Sequence, residues 1–157
     1  MTKLLFVVFI STLLCSANVP VPYGPSVAAK NCKLKIGDKY GGGIIFYMDA
    51  GDDCHGMVCA LSNQGVGVSW YDAVTICRAL HLGGYSDWRL PSKEELNYMY
   101  TNLYKPKLAD FPVNYYWSAT FDEKEMAYAQ YFVPSTKTVS RFVFKKYAFS
   151  VRAVRTF

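Results

Sequence analysis

Charge is scarce in this sequence. Asp, Glu, Lys and Arg make up 18% of its 157 residues while 52% are hydrophobic, which excludes an intrinsically disordered chain. Proline and glycine are few, 7 and 11, which excludes a collagenous or proline-rich one. No apolar run reaches the roughly 20 residues of a membrane-spanning helix. Histidine occurs only at His55 and His81, and Cys54-His55 with Cys59 lacks zinc-site spacing, so no metal is expected. Asp49, Asp52 and Asp53 lack the ligand spacing and closing Glu of an EF-hand loop and read as a solvated turn. The G-x-S-x-G elbow of hydrolases is missing around Ser86. Glu94 and Glu95, adjacent on a helix, do not face each other. Cys54 and His55 point apart along a strand, so no thiol–imidazole pair forms there. The chain reads as non-catalytic, with no cofactor.

What is present begins with residues 1–17. Lys3 gives a short basic start, residues 4–15 are apolar except for Ser11 and Thr12, and Cys15-Ser16-Ala17 offers small residues before a cut after Ala17. That is the layout of a secretory signal peptide. Leu14 stands where a lipoprotein would need a small residue before Cys15, which argues against lipidation. Export to the periplasm, cell surface or medium is expected, with no stable membrane span after cleavage. The cut leaves Cys32, Cys54, Cys59 and Cys77, and an even count in an exported chain predicts a disulfide framework with three possible connectivities.

Residues 18–35, with Pro20, Pro22, Pro25 and Gly24, read as an extended leader, and residues 36–157 as one domain. Aromatic residues make up 17%, with 13 Tyr, which favours a β-rich fold. Ile44 to Met48 and Gly56 to Leu61 predict a hairpin. A first helix is expected from Ser69, its cap, with Trp70, Ala73, Val74, Cys77 and Leu80 on one face and Gly83-Gly84 as its stop. Ser92 and Glu95 form a capping box for a second helix, which buries Leu96, Met99, Tyr100 and Leu103 and ends by Pro106. Strands are expected at 115–120, 127–133, 139–144 and 149–154. The class is α+β, two helices packed on antiparallel sheets.

The stretch Gly83-Gly84-Tyr85-Ser86-Asp87-Trp88-Arg89-Leu90-Pro91-Ser92-Lys93-Glu94-Glu95-Leu96 is distinctive. With Gly42 to Tyr47, His55-Gly56, Tyr116-Trp117-Ser118 and Val151 to Arg155, it resembles the C-terminal domain family of the Legionella collagen-like protein, the Lcl C-terminal domain, over residues 36–157. The resemblance implies an exported bacterial protein and a C-type-lectin-like fold, the scaffold also used by formylglycine-generating enzymes. It also implies an adhesin-like role, since the prototype engages sulfated glycosaminoglycans as a trimer. No Gly-X-Y repeat precedes the domain here, so the oligomeric state stays open. Family members often carry Cys in the last strand where this chain has Ala153, so the resemblance implies that Cys77 pairs elsewhere, with Cys59 as the candidate, or stays free. Within the motif Gly84, Asp87, Trp88, Arg89 and Pro91 read as structural, as do Trp117 and Arg152. Asp87 and Arg89, flanking the indole, are expected to pair with nearby backbone or with Arg152 and Glu95.

After Glu125 every charged residue is Lys or Arg. Lys137, Arg141, Lys145 and Lys146 predict a ligand-binding patch for acidic or sulfated polysaccharide, because Arg grips oxyanions in bidentate fashion. Calcium-dependent sugar binding is not expected, since the Glu-Pro-Asn, Gln-Pro-Asp and Trp-Asn-Asp tripeptides of such lectins are missing. Nucleic acid is not an expected partner of an exported chain whose net charge is only +5. The alternative is a surface that binds a protein.

Overall fold

A computed structural model describes residues 32–51, 54–134 and 139–157. After the short strand β1 (Lys39–Tyr40), the chain turns at Gly41 and Gly42 into β2 (Gly43–Met48), which pairs antiparallel with β3 (Gly56–Ala60). A disulfide between Cys32 and Cys54 ties the entry of the domain to the β2–β3 turn. Strand β4 (Gly65–Val68) leads into α1 (Trp70–Arg78). Ser69 caps α1, its hydroxyl accepting from the Asp72 N–H. The helix stops at Arg78, well before Gly83, because Ala79 and Leu80 already bond back to the carbonyls of Thr75 and Cys77. Gly83 instead shapes a separate turn. It sits at φ +64, and a Cβ there would stand 2.5 Å from the Gly42 Cα.

Ser92 and Glu95 complete their capping box at the start of α2 (Lys93–Met99). A π-helical turn (Tyr100–Tyr104) follows, closed by the Lys105 N–H on the Tyr100 carbonyl at 2.9 Å. The chain then forms β5 (Asn114–Phe121), β6 (Met126–Phe132), β7 (Val139–Phe144), β8 (Phe149–Val151) and β9 (Val154–Thr156). The expected single strand over 149–154 is thus two strands broken at Arg152-Ala153, and the break moves the chain from one sheet to the other. The sheets run β1-β2-β3-β9 and β4-β8-β5-β6-β7. All pairings are antiparallel except β5 with β8, which run parallel at Tyr116 and Ser150. The fold is α+β, with two helices on two mainly antiparallel sheets.

Strand alternation divides the core in two. Ile45, Val58, Ala60, Trp117 and Ala153 meet Ala73 and Cys77 of α1. Ile44, Phe46, Cys59, Tyr116 and Phe132 meet Leu96 and Met99 of α2 and Leu103 of the π-helical turn. The expected four-cysteine framework is therefore corrected. Cys59 and Cys77 are buried free thiols that belong to different clusters, because β3 directs Cys59 away from the face that Val58 and Ala60 share with α1. Among the described residues no helix is long and apolar enough to cross a membrane.

Candidate functional site

Among the described residues the expected patch is not brought together. Lys145 follows β7 and is only 7% exposed. Its backbone N–H bonds to Glu125 and its carbonyl accepts from Trp70, so the side chain is turned inward. Its ammonium donates to the Lys124 carbonyl at 3.0 Å and stands 4.9 Å from the Trp70 ring and 4.5 Å from that of Phe121. This corrects its reading as a ligand contact: the cation is consumed in packing. Arg141 and Lys146 remain exposed, but apart. Arg141 lies over Tyr115 at 5.3 Å, on the β7 face that carries Val143. Lys146 lies over Phe144, whose side chain leaves the opposite face, and shares a shallow pocket with the Glu125 carboxylate. Lys137 lies outside the described residues.

Arg152 is 1% exposed. Nε donates to the Asn63 side-chain oxygen, Nη1 to the carbonyls of Ala60 and Leu61, and Nη2 to that of Asp110, all within 2.9–3.0 Å, and the guanidinium lies 4.2 Å from the Phe111 ring. Burial pulls its pKa down, while Cys59 and Tyr116 push it back up. Arg155, also buried, pairs with Asp87 at 2.7 Å and lies 3.7 Å over Tyr85. Asp87 thus takes Arg155 rather than Arg152. Trp88 is buried, its indole N–H donating to the Leu82 carbonyl, and Pro91 is buried with its carbonyl accepting from Ala119. Trp117 is fully buried and donates to Val68, while Gly84 turns the chain at φ +83.

Arg89, like Asp87, keeps part of its side chain at the surface. Two of its nitrogens donate to Glu95 at 2.6 Å each, and Glu95 also accepts from the Ser92 N–H, so the capping box holds the guanidinium in a fixed plane. The Glu95 hydrogen bond raises the Arg89 pKa. With 44% of its side chain exposed, Arg89 borders a cleft of about 260 Å³. One wall is Trp70 and Arg78, eight residues apart on α1 and so on one face. Phe121, 56% exposed at the end of β5, forms the other and meets Trp70 edge-on at 5.3 Å. Trp70 is anchored by its indole N–H on the Ser118 carbonyl. Two guanidinium groups line this cleft; that of Arg89 is paired with the Glu95 carboxylate, so the positive charge left over is that of Arg78. It has the chemistry to hold an oxyanion against an aromatic wall. Sequence reasoning took Trp70 for core and gave Arg78 and Phe121 no role. The available signal was the 70, 74, 78 spacing, which puts a cation at the end of the α1 apolar stripe.

The thiols offer no nucleophile at neutral pH, since burial pushes both Cys59 and Cys77 up to about 12. Among the described residues no three His, Cys, Asp or Glu side chains are grouped as metal ligands are.

Residues 49–155 match the sequence profile of the Lcl C-terminal domain, and the chain belongs to that family. No curated protein matches it.

Proposed function

We propose that this member of the Lcl C-terminal domain family is an exported, non-catalytic binding module, built on a C-type-lectin-like scaffold, that holds acidic or sulfated polysaccharide in the cleft between α1, Arg89 and the end of β5. The observation that carries this reading is the lining itself: the exposed guanidinium of Arg78, and that of Arg89 held in place by Glu95, beside Trp70 and Phe121. Sulfate and uronate groups are planar or tetrahedral oxyanions suited to guanidinium forks, and aromatic walls suit the apolar faces of sugar rings. The signal-like layout of residues 1–17 and the Cys32–Cys54 disulfide support export. Retention on immobilised heparin tests the assignment. The protein stays bound above about 0.15 M salt. Arg78→Ala, at an exposed position, weakens binding roughly tenfold, as expected for one charged contact. No retention at low salt, or an unchanged Arg78→Ala variant, overturns it.

A second reading, a module for a protein partner, is favoured by β7. It is the outer strand of its sheet and exposes Val139, Phe142 and Phe144. Binding to a protein-coated surface that is lost on Phe144→Ser while heparin retention persists would move the function there.

A further inference from the structure

We infer that a second depression, lined by Lys93, Glu94, Asn97, Tyr98 and Tyr128, is a subsite for an uncharged sugar ring. It lies beside the arginine cleft. Ser92 borders the one and Lys93, the next residue, borders the other, so the start of α2 forms the ridge between them. Its volume of about 340 Å³ accommodates a single pyranose with room to spare.

The chemistry differs from that of its neighbour. The ammonium of Lys93 stands 3.6 Å from the Glu94 carboxylate, so the pair adds no net charge. Glu94 stays ionised, because hydrogen bonds from its own backbone N–H and from the Ser92 hydroxyl hold its carboxyl below the usual range. An anionic ligand gains nothing from this balanced field, whereas hydroxyl groups can donate to the carboxylate and accept from the ammonium. The Asn97 side chain takes no hydrogen bond among the described residues, and its amide offers both a donor and an acceptor, the pair that vicinal hydroxyls require. Both tyrosines are braced by further rings. Tyr47 stands 5.0 Å from Tyr98, and Phe142 meets Tyr128 edge-on at 5.7 Å. Tyr98 remains 39% exposed. Held aromatic surface flanked by neutral polar groups fits the C–H face of a sugar and its equatorial hydroxyls.

Occupied together, the two depressions would take a chain that alternates acidic and uncharged units. This last step rests on the proposed function of the arginine cleft; the uncharged subsite does not.

The test uses two probes, an uncharged chitotetraose and a hyaluronan oligosaccharide in which glucuronate alternates with N-acetylglucosamine. Each is titrated calorimetrically at about 0.05 M and about 0.5 M salt. Chitotetraose binds with a Kd near the millimolar range at both salt concentrations. Tyr128→Ala and Asn97→Ala each weaken it about fivefold, and Arg78→Ala leaves it unchanged. Asn97 is exposed, so its variant stands as the control against misfolding at Tyr128. Hyaluronan binding falls in all three variants, but only Arg78→Ala flattens its salt dependence. No chitotetraose binding, or binding equal in wild type, Tyr128→Ala and Asn97→Ala, overturns the subsite. If hyaluronan binding responds to Arg78→Ala alone, the arginine cleft stands and the subsite falls. If Tyr128→Ala and Asn97→Ala act on chitotetraose while Arg78→Ala changes neither probe, the subsite stands and the arginine cleft falls.

Discussion

The arm that carries Arg141 and Lys146 and the closing segment that carries Arg152 and Arg155 are neighbours in the chain and both basic, yet they use charge in opposite ways. In the closing segment both guanidinium groups are buried and their donors are committed, Arg152 to three carbonyls and an amide oxygen, Arg155 to Asp87 and Tyr85. In the arm the cations rest on aromatic rings at the surface, with Lys145 as the inward exception. A carbonyl-lined hole can hold a guanidinium without any carboxylate, since each N–H meets a dipole and the ion stays protonated. Runs of Lys and Arg in a sequence therefore do not measure the charge that a surface displays.

Substitutions can break this contrast. Arg152→Met has the largest expected effect. It strands buried acceptors that cost about 1–3 kcal/mol each, so denaturant titration should show a loss of at least about 3 kcal/mol. A loss below about 1 kcal/mol would place Arg152 with the surface cations. Lys145→Ala should cost about 1–2 kcal/mol through its two rings and its carbonyl contact. A variant that keeps its stability but loses retention would return Lys145 to the ligand surface. Asp87 gives a smaller, pH-dependent effect. The hydrogen bond from Arg155 holds its carboxyl below the usual range. The stability this contributes is present above the unfolded carboxylate pKa of about 3.9 and is lost as pH falls through the lower folded value. Asp87→Asn should therefore destabilise the protein modestly at neutral pH and converge with wild type in acid; parallel curves would separate Asp87 from the pair. Arg141→Ala and Lys146→Ala should each stay within about 0.5 kcal/mol of wild type.

The parts of the fold that were legible are those decided within a few residues. Ser69 with Asp72 and Ser92 with Glu95 set the helix starts because a side chain and a backbone N–H three positions on satisfy each other. The β2–β3 hairpin followed from two apolar runs around a turn rich in Asp and Gly. The parts that were not legible depend on distant partners. The break at Arg152-Ala153 exists because the guanidinium has carbonyls from residues 60, 61 and 110 to fill. Lys145 turns inward because Trp70 and Phe121 wait below it. The even cysteine count misled for a similar reason, since strand parity sends Cys59 to the cluster opposite that of Cys77. In the arginine cleft only Arg89 was legible, as part of a motif read for its structural role. Gln130 was legible from neither side: it is 1% exposed with its amide unpartnered among the described residues, and nothing around it explains the choice.

The final strand has a consequence for how the molecule is made. β9 completes the first sheet against β3, its Val154 bridges to Arg89, and the Phe157 carbonyl and N–H bond to Gly56. A polypeptide emerging from its N-terminus presents β3 and the Arg89 segment first, and neither finds its partner until β9 arrives. Closure of the first sheet thereby waits for β9, and a product cleaved before Val154 would lack the strand that closes it.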